Sequence, residues 1–164
     1  MQGSGMKISP DQPIPNGLVA WYGLYQTSHI LVNTRGLAIL LSGRVMDFPA
    51  PPPDAGWSQD VVHLMIAIGI LDLANAVAAM LFVWGYFKKT HWRMWLGTLT
   101  LTVSVYAAGI YAYWTYMSGA WAGDNAIVYV IVNGAFLPIL VLWCLSCYWG
   151  AKQPANWVSS RQRK

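Results

Sequence analysis

The sequence predicts an all-α fold of the polytopic membrane class, a four-transmembrane-helix bundle with both termini cytoplasmic. Three observations carry that expectation. Only 10% of the 164 residues are charged, against about 25% in soluble domains, too few for a water-facing surface. The ten Trp and nine Tyr are residues that collect at membrane–water interfaces. Four apolar stretches also reach the roughly 20 residues a helix needs to cross the hydrocarbon.

Taken in order, these stretches set the domain organisation. Segment 1–17 is polar and Pro-rich and lacks the apolar run and cleavage site of a signal peptide. The first span is therefore expected to act as its own insertion signal. The transmembrane domain, 18–150, holds spans at 18–43, 61–87, 94–117 and 126–150. Span 1 is the weakest, because Gln26, His29, Asn33 and Arg35 fall inside it. Span 2 is almost wholly apolar and carries Asp72 near its middle. Span 3 places Ser104, Ala108 and Ala112 at every fourth position, a small-residue seam for close helix packing. Span 4 has Pro138 four residues after Gly134; it removes one backbone hydrogen bond and is expected to kink the helix and free a carbonyl at depth. Segment 151–164 is a basic tail.

Charge asymmetry gives the orientation. Lys7, Lys88, Lys89, Arg93, Lys152, Arg161, Arg163 and Lys164 all fall on one side of such a bundle. Arg44 lies opposite, among Asp47, Asp54, Asp60 and Asp124. Cytoplasmic loops carry the Lys/Arg excess, so both termini are expected there, in a bacterial inner membrane. This asymmetry accounts for the net charge of +4 without nucleic acid as a partner. Trp21, Tyr22, Trp92, Trp95 and the aromatics of 84–87 and 143–149 are expected at the inner interface. Trp57, Trp121 and those of 113–116 are expected at the outer one. Pro49 and the run Pro51-Pro52-Pro53 make the outer loop 46–60 stiff and extended, either a rigid link or a docking strip.

The buried carboxylate is the sharpest feature. An unpaired charge in hydrocarbon costs several kcal/mol or is neutralised, so Asp72 needs a partner. At 1.5 Å per residue, Asp72 lies about 16 Å below the outer edge of span 2 and Arg35 about 12 Å below that of span 1. A single-loop hairpin makes the two spans neighbours, and an Arg35–Asp72 ion pair is the first expectation. The helical wheel leaves a second. Tyr22, Gln26, His29 and Asn33 share one face of span 1, with Arg35 on the opposite side. Either Arg35 meets Asp72, or the stripe does and Arg35 points outward. His29, Asn33, Arg35, Asp72, Asn75, Tyr106 and Asn133 together form an outer-half polar cluster. It is either interhelical glue or a ligand or proton site, since intramembrane ionisable residues are functional candidates by default.

Other chemistry is less well supported. The four spans with Cys144 and Cys147 in C-x-x-C spacing in the last resemble the vitamin K epoxide reductase family. That family has its pair near the oxidising side and shuttle cysteines in a loop. Here the pair lies near the expected cytoplasmic end, no other Cys exists, and the side chains diverge along a helix. Packing or reversible acylation is expected of them instead. A haem would need two histidines at matching depth, and His29, His63 and His91 lie at three depths. Asp60 and His63, one turn apart, could share a metal with Asp47 or Asp54, although Asp60 also suits a helix N-cap. No phosphate loop, nucleophile motif or paired-carboxylate motif is present, and no cofactor is predicted. "TRGLAILLSGRVMDFPA" and "GILDLANA" are similar to the Arg-led first helix and acid-bearing second helix of small four-span DoxX-like proteins. That resemblance covers a minor part of the chain and implies no functional residues.

The expected function is that of a non-catalytic accessory or structural subunit of a larger membrane complex, whose partners are the bilayer and other subunits or further copies of itself. Short loops, the lack of a catalytic motif and a polar stripe that one small bundle would not fully bury motivate this reading. The alternative is a small-molecule or proton-handling protein whose site surrounds Asp72.

Overall fold

The structure, a computed structural model, describes residues 14–47 and 50–152. Pro49, most of the N-terminal segment and nearly all of the basic tail lie outside the described residues. Five helical elements follow one another: α1 (Asn16–Leu41), α2 (Gln59–Phe87), α3 (Arg93–Met117), α4 (Asn125–Gly134) and α5 (Leu137–Lys152). Among the described residues there are no strands. Among the described residues three rods, namely α2, α3 and the broken rod from Asn125 to Trp149, are long and apolar enough to cross a membrane. Such spans are consistent with a membrane protein. At 26 residues α1 is also long, but Gln26, His29, Asn33 and Arg35 lower its apolar content.

Local sequence explains where the rods stop. Pro15 sits in extended conformation before α1, and its carbonyl accepts from Leu18 N and Val19 N, as proline at a helix entrance allows. The Ser58 hydroxyl caps α2 by accepting from Val61 N at 3.4 Å. Asp60 therefore stands in the first turn, where a negative charge suits the helix dipole, and is not itself the cap. At the exits of α1 and α3, Gly43 and Gly119 take left-handed φ of 74° and 76°. The next amide then reaches back to the last turn, Arg44 N to Ile39 O and Ala120 N to Thr115 O. This is the glycine-terminated helix end.

Pro138 acts as its position predicts. The rod breaks at Ala135 and Phe136, and Ile139 N turns to Phe136 O at 2.9 Å instead of reaching back one residue further. The Ala135 carbonyl is thereby released and accepts from Trp21 Nε1 at 3.4 Å.

The rods form a closed ring in which α1 packs on α2, α2 on α3, α3 on α5 and α5 on α1. Gly69 of α2 lies against Leu37 of α1, and Gly23 of α1 against Val83 of α2, so the two run antiparallel. The end holding Ile14, the turn 88–92 and the exit of α5 is termed the terminal end. The end holding loops 42–58 and 118–124 is the far end.

The main core fills the terminal half with Ile14, Val19, Tyr22, Ala79, Phe82, Tyr86, Leu101, Ile139 and Leu142. Tyr22 and Tyr86, expected at an interface, are buried there, and Tyr86 OH donates to Ile14 O at 2.6 Å. Segment 1–17 is thus docked at least from Ile14 onward. A smaller far-end core joins Ala50, Ala120 and Tyr129 with Trp57 and Trp121. Trp121 stacks on Tyr129 with ring centroids 5.5 Å apart, and Tyr129 OH donates to Pro51 O at 2.6 Å. Trp57 and Trp121 accordingly serve packing, and the proline run is a fixed link against α4.

α4 differs from the other helices. Past the break it approaches them only sparsely, and Tyr129 is its one buried residue. Between α4 and the other rods a cavity opens.

Candidate functional site

The cavity is about 430 Å³, within the range of small-molecule sites. Its walls are mainly apolar and aromatic, including Trp21, Tyr25, Val32, Leu37, Ile68, Tyr111 and Phe136. Met46 and Leu40 line the far end and are buried; Trp57 Nε1 donates to the Met46 carbonyl at 3.0 Å and holds the loop there. The polar lining comes from Gln26, Ser28, His29, Asn33, Asp72, Ser104 and Asn133.

Asp72 is met by the stripe. His29 Nε2 lies 2.7 Å from Asp72 Oδ2, and Asn33 Nδ2 donates to the same oxygen at 3.1 Å. His29 and Asn33 are one turn apart on α1, so both reach across the hairpin from one face. Arg35 is exposed and does not line the cavity. His29 thus holds the place beside Asp72 that Arg35 was first expected to take. The cause is register: with Leu37 beside Gly69, the helical face two residues on from Asn33 points away from α2.

Ser104 is a second polar centre. Its Oγ accepts from Gln26 Nε2 at 2.9 Å and from Asn75 Nδ2 at 2.9 Å, and shares a hydrogen bond with Tyr22 OH at 3.0 Å. Since a hydroxyl has two acceptor sites, the Ser104 hydrogen is left to point at Tyr22. Asn75 also donates to Thr100 O at 3.2 Å. Three helices are tied at one hydroxyl.

The remaining expected site residues divide. Asn133 lines the cavity, with its amide donating to Tyr129 O within α4 at 2.8 Å. Ala108 lines it too, while Ala112 is half-buried outside it. Tyr106 is 71% exposed and takes no part, because it lies two residues past Ser104 and so on the opposite side of α3. Cys144 and Cys147 are both exposed free thiols. Asp60 and His63 are exposed, and among the described residues no group of three metal-ligating side chains forms.

Chemically, the carboxylate fixes which imidazole nitrogen of His29 bears the proton and leaves Nδ1 as the other polar edge. Tyr25 lies edge-on to the imidazole at 5.2 Å and to Phe136 at 6.0 Å, which holds the ring in place. Such a pair can orient a polar head group or exchange a proton with it. Sequence reasoning placed Tyr22 at an interface and Ser104 in a packing seam. Gln26 sat on the stripe, and only the three-helix geometry reveals the node they form.

No protein-family model matches the chain, and neither a curated protein nor a solved structure matches it.

Proposed function

We propose that this protein is a four-span integral membrane protein, both termini cytoplasmic, that binds a small and largely apolar molecule in the far half of the bundle. α1 completes the four spans, its polar face turned to the other helices and its opposite face to lipid. The proposed membrane is a bacterial inner membrane, on the strength of the Lys/Arg asymmetry. One observation carries the functional reading: the 2.7 Å His29–Asp72 pair lies in the wall of a cavity that is otherwise mainly apolar. An apolar pocket with a few convergent polar groups is the usual form of a small-molecule site, and ionisable groups at membrane depth mark function.

One motive for the accessory-subunit reading was a polar stripe that one small bundle would not fully bury, beside short loops and the lack of a catalytic motif. Gln26, His29 and Asn33 all bond within the chain, so that motive falls away. Gentle extraction from native membranes followed by native mass spectrometry separates the two. The expected result is the chain alone or self-associated, carrying a bound small molecule that Asp72→Asn loses while remaining assembled. A ligand-free chain held in fixed ratio with other proteins would restore the subunit reading.

A further inference from the structure

The ligand's chemistry and its route can be argued from the polar atoms that the protein leaves over. Resting on the cavity reading above, we propose that the occupant is a membrane-dissolved molecule with a hydroxyl head, admitted sideways from the lipid between α1 and α4.

Both His29 Nε2 and Asn33 Nδ2 are directed at a single oxygen, Asp72 Oδ2. Gln26 Nε2 is spent on Ser104. Gln26 lines the cavity and is 1% exposed, yet its Oε1 finds no hydrogen-bond partner among the described residues. A buried amide oxygen without a partner is costly. Beside the Tyr25 and Tyr111 hydroxyls, which can donate or accept, the wall carries acceptor capacity at Gln26 Oε1 and at the carboxylate of Asp72, which a ligand bringing a donor would satisfy.

Of the lining residues, Trp21, Leu24 and Ser28 on α1 and Ala135 at the break are exposed. The Trp21–Ala135 hydrogen bond bounds this opening on the terminal side. Ala135 lies within a rod long and apolar enough to cross a membrane, so the opening sits at lipid depth. The far end is closed by the buried Met46 and Leu40. A cationic amine would carry its charge through hydrocarbon to reach this opening, at a cost of several kcal/mol. A neutral hydroxyl pays far less, which favours it over a charged donor.

The test compares 4-octylphenol with its methyl ether, two neutral probes of nearly equal shape, binding to the purified full-length protein in lipid nanodiscs. The phenol is expected to bind about tenfold tighter or more, the value of one acceptor left unpartnered. In Gln26→Met the preference should shrink towards unity while helix content and monodispersity persist. Should that variant misfold, Ser28→Trp at the opening serves instead and is expected to slow entry of both probes. Equal binding of phenol and ether to the unaltered protein overturns the hydroxyl assignment while leaving the cavity reading intact. Binding of neither probe counts against both. Unchanged entry in Ser28→Trp overturns the lateral route.

Discussion

The two halves of the bundle are built from the same rods and held together differently. In the terminal half, apolar side chains fill the space between α1, α2, α3 and α5, and glycine lets helices close in. A Cβ at Gly97 would stand 2.5 Å from the Phe82 ring. In the far half, the break at Ala135–Phe136 turns α4 away, and polar groups of α1 and α2 line the space that results. Lipid tails are as apolar as Leu, so helices in a membrane associate through packing and hydrogen bonds and not by escaping water. One half relies on the first of these, and the polar groups of the other are the ones proposed to meet a ligand.

Substitutions that act on one half only would sharpen this division. Phe82→Ala empties the centre of the packed half and is expected to cost about 3–5 kcal/mol, read as a loss of the folded fraction in denaturant titrations in detergent. Cavity-ligand binding should fall only in proportion to unfolding. Ser104→Ala comes next in size, because it removes one partner each from Tyr22, Gln26 and Asn75 at once. Interhelical hydrogen bonds in membranes average about 0.6 kcal/mol each, so a loss near 2 kcal/mol is expected for three, roughly half that of Phe82→Ala. If Ser104→Ala proves the more damaging, the terminal half is not the stabilising one and the comparison fails. Asp72→Asn is expected to be mild for stability, about 1 kcal/mol, because an amide can still accept from Asn33. Its effect should fall on ligand retention.

The helices were legible in the sequence because apolar length is a strong signal. The span expected at 94–117 is observed as Arg93–Met117, and that expected at 61–87 as Gln59–Phe87. The kink was legible too, since Pro138 cannot donate a backbone hydrogen bond. Partner choice was not. The wheel of α1 allowed either Arg35 or the His29/Asn33 stripe to face Asp72, and only the register across the hairpin decides. Loop 42–58 is long enough to allow many offsets, and the register is set by packing across the hairpin, Leu37 on Gly69 and Val83 on Gly23. Tyr22 and Tyr86 read as interfacial because burial of a Tyr depends on whether its hydroxyl finds a partner, here Ser104 and the Ile14 carbonyl. The cavity could not be read at all. It is the gap left by a deflected half-helix, and no residue type encodes its size.

That deflection has a cause that can be tested with the smallest expected change in stability. In Pro138→Ala the backbone regains an N–H at position 138, able to reach the Gly134 carbonyl and rebuild the helix through Ala135 and Phe136. Recovery of one bond is worth about 1 kcal/mol, opposed by loss of the Trp21 contact to the Ala135 carbonyl, so overall stability should move by less than that. The local change should be larger. Amide hydrogen exchange across 135–140 should slow, since these amides would enter a continuous ladder. As α4 straightens towards α1, the opening bounded by Trp21 and Ala135 should narrow and ligand entry should slow with it. Exchange that slows while entry stays unchanged would show that the break shapes the helix without controlling the cavity, and the far half would then owe its openness to Tyr129 and loop 42–58 holding α4 from its other end.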